Sequence, residues 1–269
     1  MSYHIDVLPG DISKASPHNF DKKGVIKTKI PYTQKYHYHA TAIASCVLSD
    51  NGKAKPHLDW LIKNMGKDGS YKHDFSFPFY DNFPKKWVGG LAQGLAISAL
   101  VQKSQVKAAK KAFKGLQDNC IYIDGLGDTW IEEYPLDKPI FILNGFIYAL
   151  FGVYDLYKKT GDKEAEELWK KGIITLKHNL KKYDLGKWSK YDLYDHLQAT
   201  PFYNKIHVKQ LSALYDITTD KKFKEYSDKW NTDSYPLFVK ISRIRKIIKK
   251  NGIIGCWNKY KQRKRWLNG

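Results

Sequence analysis

Two stretches of this chain read as copies of one another. Residues 149–163 run Ala-Leu-Phe-Gly-Val-Tyr-Asp-Leu-Tyr-Lys-Lys-Thr-Gly-Asp-Lys and lead on to Trp169. Residues 211–222 run Leu-Ser-Ala-Leu-Tyr-Asp-Ile-Thr-Thr-Asp-Lys-Lys and lead on to Trp230. Each copy is an apolar helix pattern with Tyr-Asp near its end, a Thr/Gly/Asp turn, and an amphipathic helix pattern with a late Trp. Residues 94–116 form a weaker third copy. A single helix pair cannot bury its own apolar faces, so repeated pairs stack and share one continuous core. The predicted fold is therefore mainly α: an α/α toroid-like array of helix pairs, one helix of each pair inside and one outside.

The hydrophobic spacing predicts helices over residues 36–49, 54–65, 87–101, 105–116, 141–159, 163–181, 204–214 and 221–230. Three insertions interrupt the pattern: residues 66–85, 120–139 and 183–203. Each falls between helix pairs, so all three are expected to meet at one end of the inner helices and build a groove there from short β-hairpins or loops. The middle insertion contains a Gly125-Leu-Gly turn that suits two short strands. Residues 1–35 have no helical period and hold Pro9, Gly10, Pro17, Gly24 and Pro31, which reads as an extended arm. The expected organisation is an arm over 1–35, a helical domain over 36–233 and a separate extension over 234–269.

That extension is set apart by charge. The chain carries a formal net charge of +19, and no acidic residue follows Asp233, whereas 11 Lys and Arg do. Phe238, Ile241, Ile244, Ile247 and Ile248 fall at helical spacing among them, giving a basic amphipathic helix. A balance this basic selects polyanionic partners: an acidic polysaccharide, an anionic membrane surface or nucleic acid. Nucleic acid ranks last, because no recognised binding module accompanies the charge. The extension suits either an anionic membrane surface or docking on the helical domain with its basic face in water. Aromatic residues make up 14% of the chain, with 8 Trp and 19 Tyr, more than a core requires and suited to stacking on sugar rings. The three cysteines, Cys46, Cys120 and Cys256, have no metal-ligand spacing, which argues against a zinc site or a disulfide framework. Neither a signal peptide nor a membrane-spanning run is present, so a cytoplasmic location is expected, with peripheral attachment at the inner face of a membrane if the basic helix binds there.

The most informative stretch is residues 130–162. Its first ten residues hold Trp130, Glu132, Glu133, Tyr134, Pro135 and Pro139, and an aromatic-rich helix follows with Leu143, Ile147, Leu150, Phe151 and Tyr154 on one face. A rigid polar loop feeding a buried helix suits acid/base groups held at fixed distance from a substrate. Glu132-Glu-Tyr-Pro and Leu143-Asn-Gly-Phe-Ile-Tyr are similar to the C-terminal domain of the D-glucuronyl C5-epimerases. So, in order along the chain, are Tyr36-His-Tyr-His, Asp59-Trp-Leu-Ile-Lys-Asn, Asp68-Gly-Ser-Tyr, Trp87 with Ala92-Gln-Gly-Leu-Ala-Ile-Ser, Tyr191-Asp-Leu, and Tyr203 with His207 and Gln210-Leu. The animal members carry a β-rich region ahead of the helical domain. This length leaves no room for one, so a short, prokaryotic-type member is expected.

The resemblance implies a cofactor-free isomerase that turns glucuronate into iduronate in a heparosan-type polysaccharide. Such a reaction needs a base at C5 on one face of the ring, an acid on the other, and neutralisation of the carboxylate. Carried over, the catalytic residues are Glu133, Tyr134, Tyr191 and Tyr203, with the phenols lowered in pKa by nearby cations and base and acid unassigned. Tyr36, Tyr38, Trp87, Gln93, Trp130, Asn144 and His207 are the candidate substrate-binding residues. Gln93 and Asn144 suit sugar hydroxyls or bridges between helices equally, and His207 suits a ligand or a core histidine equally. Glu132 is expected to be a solvated neighbour. One departure stands out: the arginine that follows Tyr-Asp-Leu in the family is Tyr194 here, so Lys85, Lys86, Lys190, Lys205 or Lys209 would have to meet the substrate carboxylate. No metal is expected, and a homodimer is compatible with the sequence. Two other readings share these features, a polysaccharide lyase that deprotonates C5 and then eliminates, and a non-catalytic acidic-glycan-binding protein at a membrane surface.

Overall fold

The structure is a computed structural model and describes residues 18–30, 33, 35–49, 52, 54–77, 80, 82–195, 197–232 and 241. Among these residues eight helices form: α1 (Ala40–Ser49), α2 (Ala54–Asn64), α3 (Gly90–Gln102), α4 (Val106–Cys120), α5 (Leu143–Thr160), α6 (Lys163–Tyr183), α7 (Pro201–Thr218) and α8 (Lys221–Trp230). The basic helix expected within 234–269 lies outside the described residues, apart from Ile241, as do residues 1–17 of the expected arm. No helix among the described residues is long and apolar enough to cross a membrane.

The helices pack as the repeat requires. Each odd-numbered helix pairs with the even-numbered one after it, and α1, α3, α5 and α7 lie side by side in a row. The four hairpins share one core that runs from Val25 to Trp230. Burial separates the two roles. In α5 every residue from Leu143 to Val153 is buried, whereas α6 buries one stripe containing Ala165, Leu168, Trp169, Leu176 and Leu180. The mainly α expectation is met.

The repeat has a physical cause at its turns. In the first copy α5 ends at Gly161, left-handed at φ 66°, and Asp162 then caps α6 by accepting from the Ala165 N–H at 3.2 Å. In the second, α7 ends at Thr219, left-handed at φ 57°, and Asp220 accepts from the Lys222 N–H at 3.0 Å to open α8. The weaker copy turns at Ser104, φ 56°. A left-handed residue stops each helix and a carboxylate starts the next in two of the three.

Two expected helices begin later than their periodicity predicts. Tyr36–His37 is strand β3, paired with β2 (Ile26–Lys29), which in turn pairs with β1 (His18–Phe20). Trp87–Val88 is strand β5, paired antiparallel with β4 (Lys72–His73). In both places aromatic residues that extend well meet a free strand, and the helical period starts only after them. Helix α7 instead begins early, at Pro201, because Thr200 caps it by accepting from the Tyr203 N–H at 3.4 Å. The middle insertion forms the expected hairpin, β6 (Ile121–Ile123) with β7 (Thr129–Ile131).

The tightest crossing joins α3 to α5. A Cβ on Gly94 would lie 2.4 Å from the Ala149 Cα, and one on Gly152 would lie 2.2 Å from the Gly94 carbonyl oxygen. The obstructing atoms are backbone and cannot swing aside. Gly152→Ala is therefore expected to destabilise by about 3 kcal/mol or more in urea unfolding, although Gly→Ala in an open helix stabilises by roughly 1 kcal/mol. Thr219→Gly is expected to have the opposite sign. It relieves a β-branched residue of a left-handed conformation, for a gain of about 0.5–1 kcal/mol in the same measurement.

Candidate active site

Because the hairpins are stacked in parallel, α3, α5 and α7 all begin at the same end of the array. The three insertions, now residues 65–89, 121–142 and 184–200, lead into those beginnings. Ring contacts show that they meet. Tyr80 of the first lies 6.1 Å from Tyr134 of the second and 6.5 Å from Tyr194 of the third, centroid to centroid.

Glu132 and Glu133 follow β7 directly and are seated on glycines. The Gly90 N–H donates to the Glu132 carbonyl at 2.9 Å. A Cβ on Gly90 would lie 2.5 Å from that carbonyl oxygen, and one on Gly89 would lie 2.8 Å from the Glu133 carbonyl oxygen. Across the groove, a Cβ on Gly145 would lie 2.1 Å from Glu133 Oε2 and 2.7 Å from its Cβ. Gly145 is in the first turn of α5, so the glycine of the Asn144-Gly-Phe motif makes the space in which the Glu133 side chain lies.

The two carboxylates have different surroundings. Glu132 is buried, not solvated as expected, and accepts from the Ile140 N–H at 3.3 Å and from the Phe141 N–H. It thereby closes the loop on its far side, where Phe141 sits at φ 51° and its carbonyl accepts from the Tyr183 hydroxyl at 2.7 Å. The same loop end is tied to the third insertion, the Leu193 N–H donating to the Ile140 carbonyl and the Leu143 N–H to that of Tyr191. Glu132 is a positioning residue. Glu133 instead faces phenols: the Tyr134 hydroxyl hydrogen-bonds its carboxylate, and its Oε2 has no partner. Burial raises both carboxyls to about 7, and at Glu133 the neighbouring Glu132 adds to the rise.

Five phenols surround Glu133: Tyr80, Tyr134, Tyr148, Tyr191 and Tyr203. The carboxylate acts electrostatically on each of them. The Tyr134 ring is held edge-on by Trp87 at 5.1 Å, Phe83 at 5.4 Å and Phe77 at 5.7 Å. Tyr191 and Tyr203 lie 4.6 Å apart, and the Tyr191 hydroxyl donates to the Tyr203 oxygen. Burial pushes all five phenols above their ordinary value, the reverse of the lowering by cations that the sequence suggested. Tyr203 is lifted only to about 12, because the hydrogen bond from Tyr191 works against burial and against Glu133. In this arrangement the phenols keep their protons near neutral pH, and Glu133 can both hold a proton and lose it.

The remaining expected residues divide. Asn144 is buried in the first turn of α5, its carbonyl accepts from Gln210 at 3.0 Å, and its Oδ1 has no partner. Trp87 supports the Tyr134 ring and donates from its indole to the Phe75 carbonyl at 2.6 Å. Trp130 packs under the loop against Phe141 at 4.4 Å and donates to Asp124. Gln93 is fully buried and bridges α3 to the 66–71 turn and to α4, accepting from Tyr71 and donating to Gly69 and Ala112. Its amide is used in that bridge, away from the groove. His207 is buried, shares a 2.8 Å hydrogen bond with Ser189, and is held neutral by burial at about 3. Tyr36 and Tyr38 belong to the sheet side: Tyr36 is in β3, and the Tyr38 hydroxyl donates to Asp21 at 2.7 Å. Tyr80 and Tyr148 were missed. Tyr148 carried a usable signal, since it lies three residues after Gly145 and so on the same helix face. Tyr80 had none beyond an aromatic-rich loop. Among the described residues no group of three His, Cys, Asp or Glu is placed to hold a metal.

Comparison with known proteins agrees with this picture. The chain is 29% identical over 237 residues to a D-glucuronyl C5-epimerase of Caenorhabditis elegans, covering 76% of this chain and 36% of that protein. It is 32% identical over 176 residues to an uncharacterized protein of Methanocaldococcus jannaschii, covering 60% of this chain and 56% of that one. It thus spans about a third of the first relative and just over half of the second. Residues 65–232, which hold Glu133 and all five phenols, match the family described as D-glucuronyl C5-epimerase C-terminus, and the chain belongs to that family.

Proposed function

We propose that this chain is an isomerase that inverts C5 of uronate residues, glucuronate to iduronate, in an acidic polysaccharide of heparosan type, without a cofactor. The observation that carries this reading is one buried carboxyl at about 7, hydrogen-bonded by Tyr134 and acting electrostatically on the protonated Tyr191 and Tyr203. Glu133, when ionised, takes the C5 proton from one face of the sugar. The electron pair left on C5 delocalises into the substrate carboxyl. Tyr134, released from Glu133 once that carboxyl is protonated, donates its O–H to the charge that develops there, in a site where low polarity strengthens the hydrogen bond, while Tyr191 keeps its O–H on Tyr203. Tyr203 returns a proton to C5 from the opposite face, and its phenolate recovers one from solvent as Glu133 releases the proton that it took. Tyr203 suits this step because it is the least raised of the catalytic phenols and already accepts from Tyr191. The four hairpins are read as an arc of an α/α toroid, with the polymer lying across the mouth where the insertions meet.

Incubating the chain with heparosan in heavy water tests the reaction. Deuterium at C5 and new iduronate residues are expected. An unsaturated, ultraviolet-absorbing end would instead mark a lyase, and binding with no exchange would mark a glycan-binding protein. The rate should rise with pH through about 7 as Glu133 ionises. Glu133→Gln should lower exchange by roughly 100-fold to 10,000-fold. Gly145→Ala, which drives the Glu133 side chain out of its place, should cost activity at a similar scale while circular dichroism stays native.

Stability should move the other way. A carboxyl raised on folding favours the folded state fully below its ordinary value near 4.5, and that contribution is lost as pH climbs through about 7. Thermal unfolding of Glu133→Gln should therefore exceed the parent's above pH 7, by on the order of a few kcal/mol, and match it near pH 4.

A further inference from the structure

Beyond the groove, the β6–β7 hairpin carries the most exposed large apolar side chains of the described surface. Leu126, at the tip, is 80% exposed and Ile123 is 64% exposed. The next is Ile174 of α6 at 52%, and it neighbours Thr175, to which the hairpin is hydrogen-bonded. Ile123 pairs with Thr129 across the hairpin, and the Thr129 N–H donates to Thr175 Oγ1 at 2.8 Å. Asp128 fastens the same hairpin to α6 through His178 at 2.9 Å and Asn179 at 2.8 Å. Ile123 and Leu126 thus stand in water on a hairpin fastened to α6 beside the exposed Ile174.

The charges around them are mainly basic. Lys181 and Lys182 share the exposed stripe of α6 with Ile174, where Lys171 pairs with exposed Glu167 at 2.6 Å, and Lys182 acts electrostatically on Asp124 at the hairpin turn. The acids of the hairpin are used inside it. Asp124 accepts from the Leu126 and Asp128 N–H groups and from the Trp130 indole, and Asp128 is buried against α6. Apolar side chains rimmed by lysines suit an interface that is oily below and anionic above.

We propose that the tip of this hairpin and the adjoining stripe of α6 dock on an anionic lipid bilayer, with Ile123 and Leu126 entering the acyl boundary and the lysines at the headgroups. Charge complementarity selects this occupant. A second copy of a chain with net charge +19 would bring like charges together, and a sugar polymer offers nothing to protruding aliphatic side chains. Strand β7 runs from the hairpin straight into Glu132 and Glu133, so docking holds the groove mouth near the membrane.

Sedimentation with phosphatidylcholine vesicles, with and without phosphatidylglycerol, tests the proposal on the full chain. The parent should sediment with the anionic vesicles only. Ile123→Ser/Leu126→Ser should weaken that binding at least about tenfold, at low and high salt alike. Lys181→Glu/Lys182→Glu should weaken it at low salt only, since salt screens the second contribution and not the first. Leu126→Trp should be quenched by brominated lipid. Native thermal midpoints certify that the variants fold, so the result stands whatever reaction the groove performs. The proposal is overturned if the serine pair binds vesicles like the parent. It is equally overturned if that pair loses affinity for soluble heparosan instead, or if it changes the mass of the chain without vesicles.

Discussion

Where α3 and α5 cross, their backbones touch, Gly94 against Ala149 and Gly152 against Gly94. Two helices whose side chains kept them at the usual spacing of 8–10 Å would leave their N-terminal ends further apart. Here the ends close on the Glu132-Glu133 loop from both sides, Gly89 and Gly90 on one and Gly145 on the other. The small residues of α3 and α5 therefore do two things with one geometry. They let the central pair of the array pack through backbone, and they leave a slot one side chain wide at its end. The loop that fills this slot is itself held by Glu132 and by backbone bonds to the third insertion, so Glu133 has little freedom to move.

In the proposed reaction burial takes the part that a nearby cation was expected to play. In water a carboxylate is ionised at neutral pH and takes up a proton poorly. Shielded among aromatic rings, Glu133 sits near 7, where both of its states are accessible. The same shielding keeps the phenols protonated, as donors. The proposed assignment of base and acid rests on this difference between two residue types in one environment, since each responds to desolvation by favouring its neutral form. The cost is a charge buried on folding, the usual exchange of stability for a poised group.

Much of the fold was legible in residue order, because helix periodicity, the Thr/Gly/Asp turns and the repeat are local patterns that survive translation into structure. Tyr36–His37 and Trp87–Val88 were misread as helix because their strand partners lie far away in the chain, and pairing is a non-local choice. At the site, Glu133, Tyr134, Tyr191 and Tyr203 were nameable from their motifs. Gln93 suited a sugar hydroxyl or a bridge between helices equally and is a buried bridge; Glu132 looked solvated and is the loop's fastening. In both cases the polar residue's role depends on which backbone groups end up unpaired beside it, and that is decided only when the elements pack.

The sequence by itself determined a mainly helical array of paired elements, a strongly basic balance, and one family whose motifs recur in order. Tertiary structure alone decided that Tyr80 and Tyr148 join the carboxylate, that Ile123, Leu126 and Ile174 are left exposed, and that the phenols are raised and not lowered. Periodicity and turn chemistry act over a few residues and are written along the chain. Desolvation and mutual electrostatic influence depend on distance in space, and the chain acquires those distances only by folding.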